Sequence, residues 1–348
     1  MRVRRRRMER RPQNQRHLSR PVISVGNLSM GGTGKTPVVA AIAEWLIAAG
    51  HRPSILTRGY GREDAVDGVV VINPRISRTS RTCEPPSLAQ TGDEPLMLSR
   101  QVPGATVCVS PDRYLGGVLA EKLGCTVHVL DDGFQHLELA RDLDILVTTI
   151  GEIPKGRVIP FGRLREPKDA AARAHFLVVT DATAGAASAE AWELGVSQSC
   201  GVLRTLSTPR VIRLKPDTTP MPNGPVLAVA GIANPERFVR SLKDAGWNVV
   251  DAMTFADHHR YSPKDLAAIE EKMKSSGASA VFTTDKDAVR FETLLRAPRY
   301  GGQAQSTSFP LHRVPLVVEF DPPAALFESV KAVIGSSFAR SGELRRDK

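Results

Sequence analysis

A chain of 348 residues with 41% hydrophobic content is long enough for two ordinary domains and has the make-up of a globular protein, which excludes an intrinsically disordered chain. No apolar run approaches the roughly 18 residues that span a bilayer, and the N-terminus lacks the apolar stretch of a secretory signal. Of the formal net charge of +10, residues 1–20 supply +8 through nine arginines and one acid, Glu9, so the body is close to neutral.

The basic arm at 1–20 has several readings: a nucleic-acid contact, an anionic membrane contact, or a solvated tail. No aromatic residue interleaves its arginines, so a base-stacking platform is not expected. The body begins at Pro21. A β-branched run at 22–25 is broken by Gly26-Asn27, and the alanine-rich stretch 37–49, closed by Gly50, predicts a helix. Further strands are predicted at 54–57, 69–72, 105–109, 126–130, 143–148 and 176–179, with a helix over 112–123. Cys108 and Cys125 fall in apolar strand-like runs without C-x-x-C spacing. They are expected as buried free thiols of a reducing cytoplasm, not as zinc ligands.

The stretch 182–219 carries little periodic signal and reads in part as connector. A second α/β unit starts at Val226, with strands at 226–230, 249–253, 278–283 and 314–318. Its helices open at Asn234-Pro235 and Ser262-Pro263, a polar cap followed by proline at the first helical position. Strands alternating with helices give an α/β fold, a mostly parallel sheet flanked by helices with a second, smaller α/β domain; the glycine-rich loop at 29–36 makes the larger sheet P-loop NTPase-like. The expected division is a basic arm at 1–20, a nucleotide-binding domain at 21–205 and a connector at 206–224. A smaller domain contributing to the substrate cleft at 225–335 and a polar tail at 336–348 complete it.

Between the first strand and the first helix stands Ser29-Met30-Gly31-Gly32-Thr33-Gly34-Lys35-Thr36. Glycines let backbone N–H groups turn toward phosphate oxygens, and the helix N-terminus adds partial positive charge. Lys35 can reach the β- and γ-phosphates, and the Thr36 hydroxyl can ligate Mg²⁺. Ser29 departs from the usual pattern, which begins with glycine. Asp131-Asp132 ends an apolar strand, where a carboxylate can hold Mg²⁺; Asp-Asp-Gly is equally good turn chemistry. Gly92-Asp93-Glu94-Pro95 sets an acid pair before a helix, as a base for a substrate hydroxyl or as a cap. Asp257-His258-His259 could bind metal or orient a base, and reads also as surface structure of a loop. Arg58, Arg62, Arg163 and Arg165 flank glycine-containing loops and could clamp phosphate.

Taken in order, the phosphate loop, Thr57–Arg62, Gly92–Pro95, Asp131–His136, Pro160–Pro167, Gly231–Pro235, Phe255–His259 and Thr283–Val289 resemble the tetraacyldisaccharide 4′-kinase family, over about residues 21–291. The resemblance implies transfer of a phosphoryl group from ATP, with Mg²⁺, to the 4′-hydroxyl of a tetraacylated glucosamine disaccharide 1-phosphate, giving lipid IVA. It implies Asp93 as the catalytic base and His258 as its support from the second domain. Asp131, Asp132 and Glu166 would stand near the metal and γ-phosphate, with Arg58 in the cleft. It places the protein, expected as a monomer, peripherally on the cytoplasmic face of the inner membrane. Family members usually carry an apolar or amphipathic N-terminal helix; here the arginine-rich arm stands in its place, suited to salt-sensitive attachment to anionic lipid.

Two other functional classes compete with this one. A GTPase would read its base with Asn/Thr-Lys-x-Asp, and Thr284-Asp285-Lys286-Asp287 has one residue too many before the lysine. A nucleic-acid ATPase would need a basic groove, which the near-neutral body does not offer, so no nucleic-acid partner is expected.

Overall fold

The computed structural model describes residues 15–64, 68–73, 86–212, 224–296 and 309–343. They form two compact units: of the described residues, 15–64, 68–73, 86, 90–204 and 318–343 belong to one, and 87–89, 205–212, 224–296 and 309–317 to the other.

The first unit is built on a nine-stranded sheet in the order β14-β8-β7-β6-β1-β5-β2-β4-β3. Its centre is β1 (Val22–Gly26), parallel to β5 (Val127–Asp131) on one side and β6 (Leu143–Thr149) on the other. Beyond β5 come β2 (Pro53–Thr57) and β4 (Thr106–Val109), both parallel, then the antiparallel edge strand β3 (Val70–Ile72). Beyond β6 come β7 (Phe176–Thr180), β8 (Ser199–Leu206) and β14 (Leu316–Asp321). The central strands are buried along their whole length, which is why they read as continuous apolar runs. Because they are parallel, their C-terminal ends share one rim, and the loops after β1, β2 and β5 meet there.

The helices that matter to this rim are α1 (Lys35–Ala48), α2 (Asp93–Gln101) and α3 (Arg113–Lys122). The α3 helix is capped as its sequence predicts: Asp112 accepts from the backbone N–H groups of Tyr114 and Leu115. Cys108, Cys125 and Cys200 are buried free thiols, and burial pushes Cys108 up to about 12.

The second unit holds a five-stranded sheet, β11-β10-β12-β13-β9, with β10 (Val226–Ala230), β11 (Val249–Thr254), β12 (Ala280–Thr284) and β13 (Leu311–Val314) parallel. The antiparallel β9 (Arg210–Val211) completes it. Its helices at Pro235–Asp244 and Pro263–Ser276 begin where the Asn-Pro and Ser-Pro signals put them. Ser262 and Asp265 form a reciprocal capping box.

The structure corrects several expectations. The low-signal stretch 182–219 contains α4 (Ala184–Leu194) and the eight-residue β8. The buried face of α4 is two alanines, a glutamate and one leucine, which gives a weak hydrophobic period. The strand expected at 314–318 is two strands, β13 and β14, one in each sheet. The segment from 318 onward groups with the first unit, not with a domain at 225–335, and the last helix (Ala325–Glu343) runs into the expected polar tail. The arm at 1–20 also divides. Residues 15–20 pack on the first unit: Arg16 pairs with Asp112 at 2.8 Å through both guanidinium nitrogens and lies over the Tyr114 ring. Its charge is therefore spoken for, and the seven arginines of 1–14 lie outside the described residues. Cys83 and residues 213–223 of the connector expected at 206–224 lie outside them too, while the described part of that connector includes β9.

Candidate active site

The loop from Asn27 to Gly34 leaves the C-terminal end of β1 and enters α1, the context the phosphate loop requires. Its shape is held from several sides. The Asn27 amide donates to the Thr33 hydroxyl at 3.1 Å, and the Thr180 hydroxyl donates to the Thr33 carbonyl at 3.2 Å. Gly31 and Gly34 take positive φ of 126° and 90°, a conformation that side chains disfavour. Ser29, the departure from the usual pattern, is buried and bridges to Leu164; its neighbour Met30 donates its N–H to the Arg163 carbonyl at 2.8 Å. A strand-like contact thus fixes the loop where the pattern usually has glycine. Gly32 is exposed and Thr36 half-buried at the head of α1.

Lys35 reaches from α1 to Asp132 Oδ1 at 3.3 Å. Asp132 follows β5 in the left-handed region, φ 51°, and its other oxygen accepts from Arg165 Nη1 at 2.8 Å. Burial would raise the Asp132 pKa, but Lys35 and Arg165 outweigh it and hold the carboxyl below its ordinary value. Asp131 is buried and accepts from the Thr57 hydroxyl at 3.2 Å. Burial, with the charges of Glu94 and Asp132 beside it, lifts its carboxyl to about 7 against the partial opposition of Lys35.

Gln135 ties this rim together. Its amide N–H group donates to the Asn27 carbonyl at 2.8 Å and to Glu166 at 3.3 Å, while its oxygen accepts from Arg165 at 3.2 Å. Glu166 is buried, and both its oxygens accept from Arg173, at 3.0 and 3.1 Å. Its carboxylate is therefore engaged by a bidentate arginine, unlike Asp132, whose Oδ1 has only the Lys35 ion pair.

Asp93 opens α2. It is buried, and it accepts from the N–H of Glu94 at 2.9 Å. Gly92 before it has φ 83°, and a Cβ there would lie 2.5 Å from the Tyr60 carbonyl. The loop after β2 is thus pressed onto the turn that carries Asp93. Arg58, in that loop, is exposed. The electrostatic influence of Glu94 on Asp131 shows that the start of α2 and the end of β5 are neighbours.

Sequence reasoning did not single out Arg113. Its side chain is buried at the start of α3, within electrostatic reach of Asp131, Arg58 and Asp132. Burial lowers its pKa, and the two aspartates oppose that. The signal was its place just beyond the C-terminal end of a parallel strand, β4. Gln135 and Arg173 were also missed, because their roles exist only through partners distant in sequence.

In the second unit, His258 has φ 61°. Lys286 Nζ lies 3.1 Å from its Nε2 and Arg290 Nη2 3.4 Å from its Nδ1. Asp257 accepts from Lys286 at 3.3 Å and from the His258 N–H at 3.0 Å. Asp287 is fully buried, bonded to Arg290, Thr284 and the Gly231 N–H, and Asp285 pairs with Arg313. These commitments leave Thr284–Asp287 unable to read a guanine base, which removes the ground for a GTPase. His259 pairs with Asp265 and stacks on Phe255, a structural position.

The chain matches the family model described as LpxK, tetraacyldisaccharide-1-P 4′-kinase, over residues 1–334. It is 41% identical to the tetraacyldisaccharide 4′-kinase of Geobacter sulfurreducens over 287 residues, covering 80% of this chain and 77% of that protein. The chain belongs to the tetraacyldisaccharide 4′-kinase family. It is accordingly a kinase of lipid A biosynthesis with a P-loop α/β fold. The Desulfotalea psychrophila member is 36% identical over 317 residues, covering 84% of this chain and 85% of its own. The crystal structure of LpxK from Aquifex aeolicus in complex with ATP is similar at a TM-score of 0.68 and 28% identity, covering 92% of this chain and 90% of that one. Among the described residues no helix is long and apolar enough to cross a membrane.

Proposed function

We propose that the chain transfers the γ-phosphoryl group of ATP to the 4′-hydroxyl of a tetraacylated glucosamine disaccharide 1-phosphate, giving lipid IVA and ADP. One observation carries the division of labour: Lys35, Arg165 and Arg113 gather around Asp131 and Asp132 on the rim where the phosphate loop ends, and Asp93 heads the neighbouring helix.

The backbone of 29–34 and the Lys35 ammonium would take the β- and γ-phosphates. Arg58 and Arg113 would add positive charge toward the transferring group. The Thr36 hydroxyl and the carboxylates of Asp131 and Asp132 supply only hard oxygen donors, the set that suits Mg²⁺, and Asp132 Oδ1 has an open acceptor site. Bound there, Mg²⁺ supplies neutralisation of phosphate charge. Glu166, whose oxygens Arg173 occupies, acts instead through Gln135 to hold Arg165 and the loop at Asn27.

Asp93 would accept the proton of the 4′-hydroxyl as its oxygen bonds to the γ-phosphorus. The bond from that phosphorus to the β–γ bridging oxygen breaks, and ADP carries away the electron pair. His258 is proposed as the support of Asp93 in the reacting complex, itself oriented by Lys286, Arg290 and Asp257. The chain acts as a monomer held peripherally at the cytoplasmic face of the inner membrane.

The expected consequence is that Asp93→Ala lowers kcat by about 10²–10⁴-fold, the usual worth of a positioned base, while ATP binding measured by calorimetry stays within about twofold. An unchanged kcat rejects Asp93 as the base.

A further inference from the structure

We propose that the hairpin at 157–164 is a second membrane contact: its apolar tip, Ile159-Pro160-Phe161, enters the headgroup region of an anionic bilayer while Lys155, Arg157 and Arg163 meet lipid phosphates.

The tip is built to be presented. Phe161 is 84% exposed and Ile159 45% exposed, whereas Leu164 at the base is 1% exposed in the core beside Phe134 and Ile153. The stem is closed by backbone hydrogen bonds from Ile159 to Leu164, from Leu164 to Arg157 and from Phe161 to Val158, at 2.9–3.0 Å. A fixed turn therefore holds a phenyl ring in water, where it gains nothing from burial. Single exposed apolar residues are ordinary; here Ile159 and Phe161 share one turn, and Met30, 53% exposed, stands on the segment to which the stem is tied.

The charge around the tip chooses the partner. Lys155, Arg157 and Arg163 are all exposed, whereas the acids that flank the hairpin are engaged inward: Glu166 is buried and accepts from Arg173, and Glu152 is half-buried and accepts from the Thr149 hydroxyl. An aromatic tip in a cationic collar is the chemistry of an interfacial anchor on anionic lipid. Trp192 provides the contrast: it is 89% exposed but stands beside exposed Glu193, and an anionic surface repels that neighbourhood.

The stem also grips the phosphate loop. Leu164 bridges Ser29, the Arg163 carbonyl accepts from Met30, and the Arg163 guanidinium donates to the Met30 carbonyl at 2.6 and 3.0 Å. A tip seated in the bilayer would hold the phosphate site against the surface where an acylated acceptor lies. That benefit rests on the lipid acceptor proposed above; the binding itself does not.

The test uses the full chain and vesicles of phosphatidylglycerol with phosphatidylethanolamine, compared with phosphatidylcholine alone. With brominated lipid, Phe161→Trp should show blue-shifted, quenched emission beyond the wild-type background on anionic vesicles and none on phosphatidylcholine. Phe161→Ser should weaken vesicle partitioning about tenfold or more, the change expected on withdrawing one phenyl ring, while Trp192→Ser leaves it unchanged. Both variants alter exposed side chains, and unchanged thermal unfolding would confirm an intact fold. Unshifted emission from Phe161→Trp, or wild-type partitioning by Phe161→Ser, overturns the anchor without touching the kinase reading. So does a matching fall in kcat/KM on detergent-dispersed substrate, which would make Phe161 a contact to the acceptor's chains.

Discussion

At the scale of single residues, the site is a set of charges whose positions decide their protonation. Asp131 is the sharpest case. The folded protein holds its proton up to about pH 7, whereas an unperturbed aspartate releases it near 3.8. A raised folded pKa means that the stabilisation from this proton is full below about pH 4 and is lost as pH rises through 7. In the absence of nucleotide and metal, chemical denaturation should therefore show wild-type stability falling from pH 4.5 to 8 relative to Asp131→Asn. Parallel pH profiles would contradict the buried, proton-holding carboxyl. Lys35 is the complementary charge. Lys35→Met should lower kcat/KM by about 10²-fold or more, since it removes a donor to the transferring phosphates. Lys35, Thr36, Asp93 and the Asp131-Asp132 pair were legible because each falls next to a glycine turn or a strand end. Arg113, Gln135 and Arg173 were not, because a buried arginine or glutamine has meaning only through the carbonyls and carboxylates that the fold brings to it.

At the scale of elements, the rim depends on loops pressed together. The turn at Gly92 is the clearest. It has φ 83°, and any side chain would run into the Tyr60 carbonyl, 2.5 Å from the Cβ position. Gly92→Ala should cost about 1–3 kcal/mol of stability from backbone strain and displace Asp93. Denaturant midpoints, together with a kcat at least about tenfold lower at saturating ATP, would check it; a misplacement of this order is enough for such a loss. An alanine variant with wild-type stability and turnover would remove the close approach from the account. Most elements were readable before the structure because buried parallel strands are continuous apolar runs bounded by glycine, proline or aspartate. The failures have two causes. The buried face of α4 at Ala184–Leu194 is two alanines, a glutamate and one leucine, and β8 has only part of its length buried, so neither has the strong period that marks its neighbours. The 314–318 run was divided by Pro315, which lies between β13 and β14.

At the scale of the whole molecule, most of the formal positive charge lies at one end of the sequence. Among the described residues of that arm, the Gln15 amide donates to the Leu137 carbonyl and the Arg16 N–H to the Glu138 carbonyl. A chain lacking residues 1–14 should lose much of its binding to anionic vesicles at low salt, because it sheds seven arginines. Retained, salt-insensitive binding would assign attachment elsewhere. The division into two units was expected, but its boundary near the C-terminus was not: the returning β14 and the helix after it belong with the first unit, a non-local pairing that no local pattern announces. The central claim joins all three scales, since it requires the phosphate loop, the acids of the rim and a lipid acceptor in one reaction. It is tested most directly by incubating the full chain with γ-labelled ATP and tetraacyldisaccharide 1-phosphate and following label into lipid. The account predicts a labelled bisphosphorylated lipid with the wild-type chain and almost none with Asp93→Ala; wild-type enzyme that leaves all label in ATP and inorganic phosphate would contradict it.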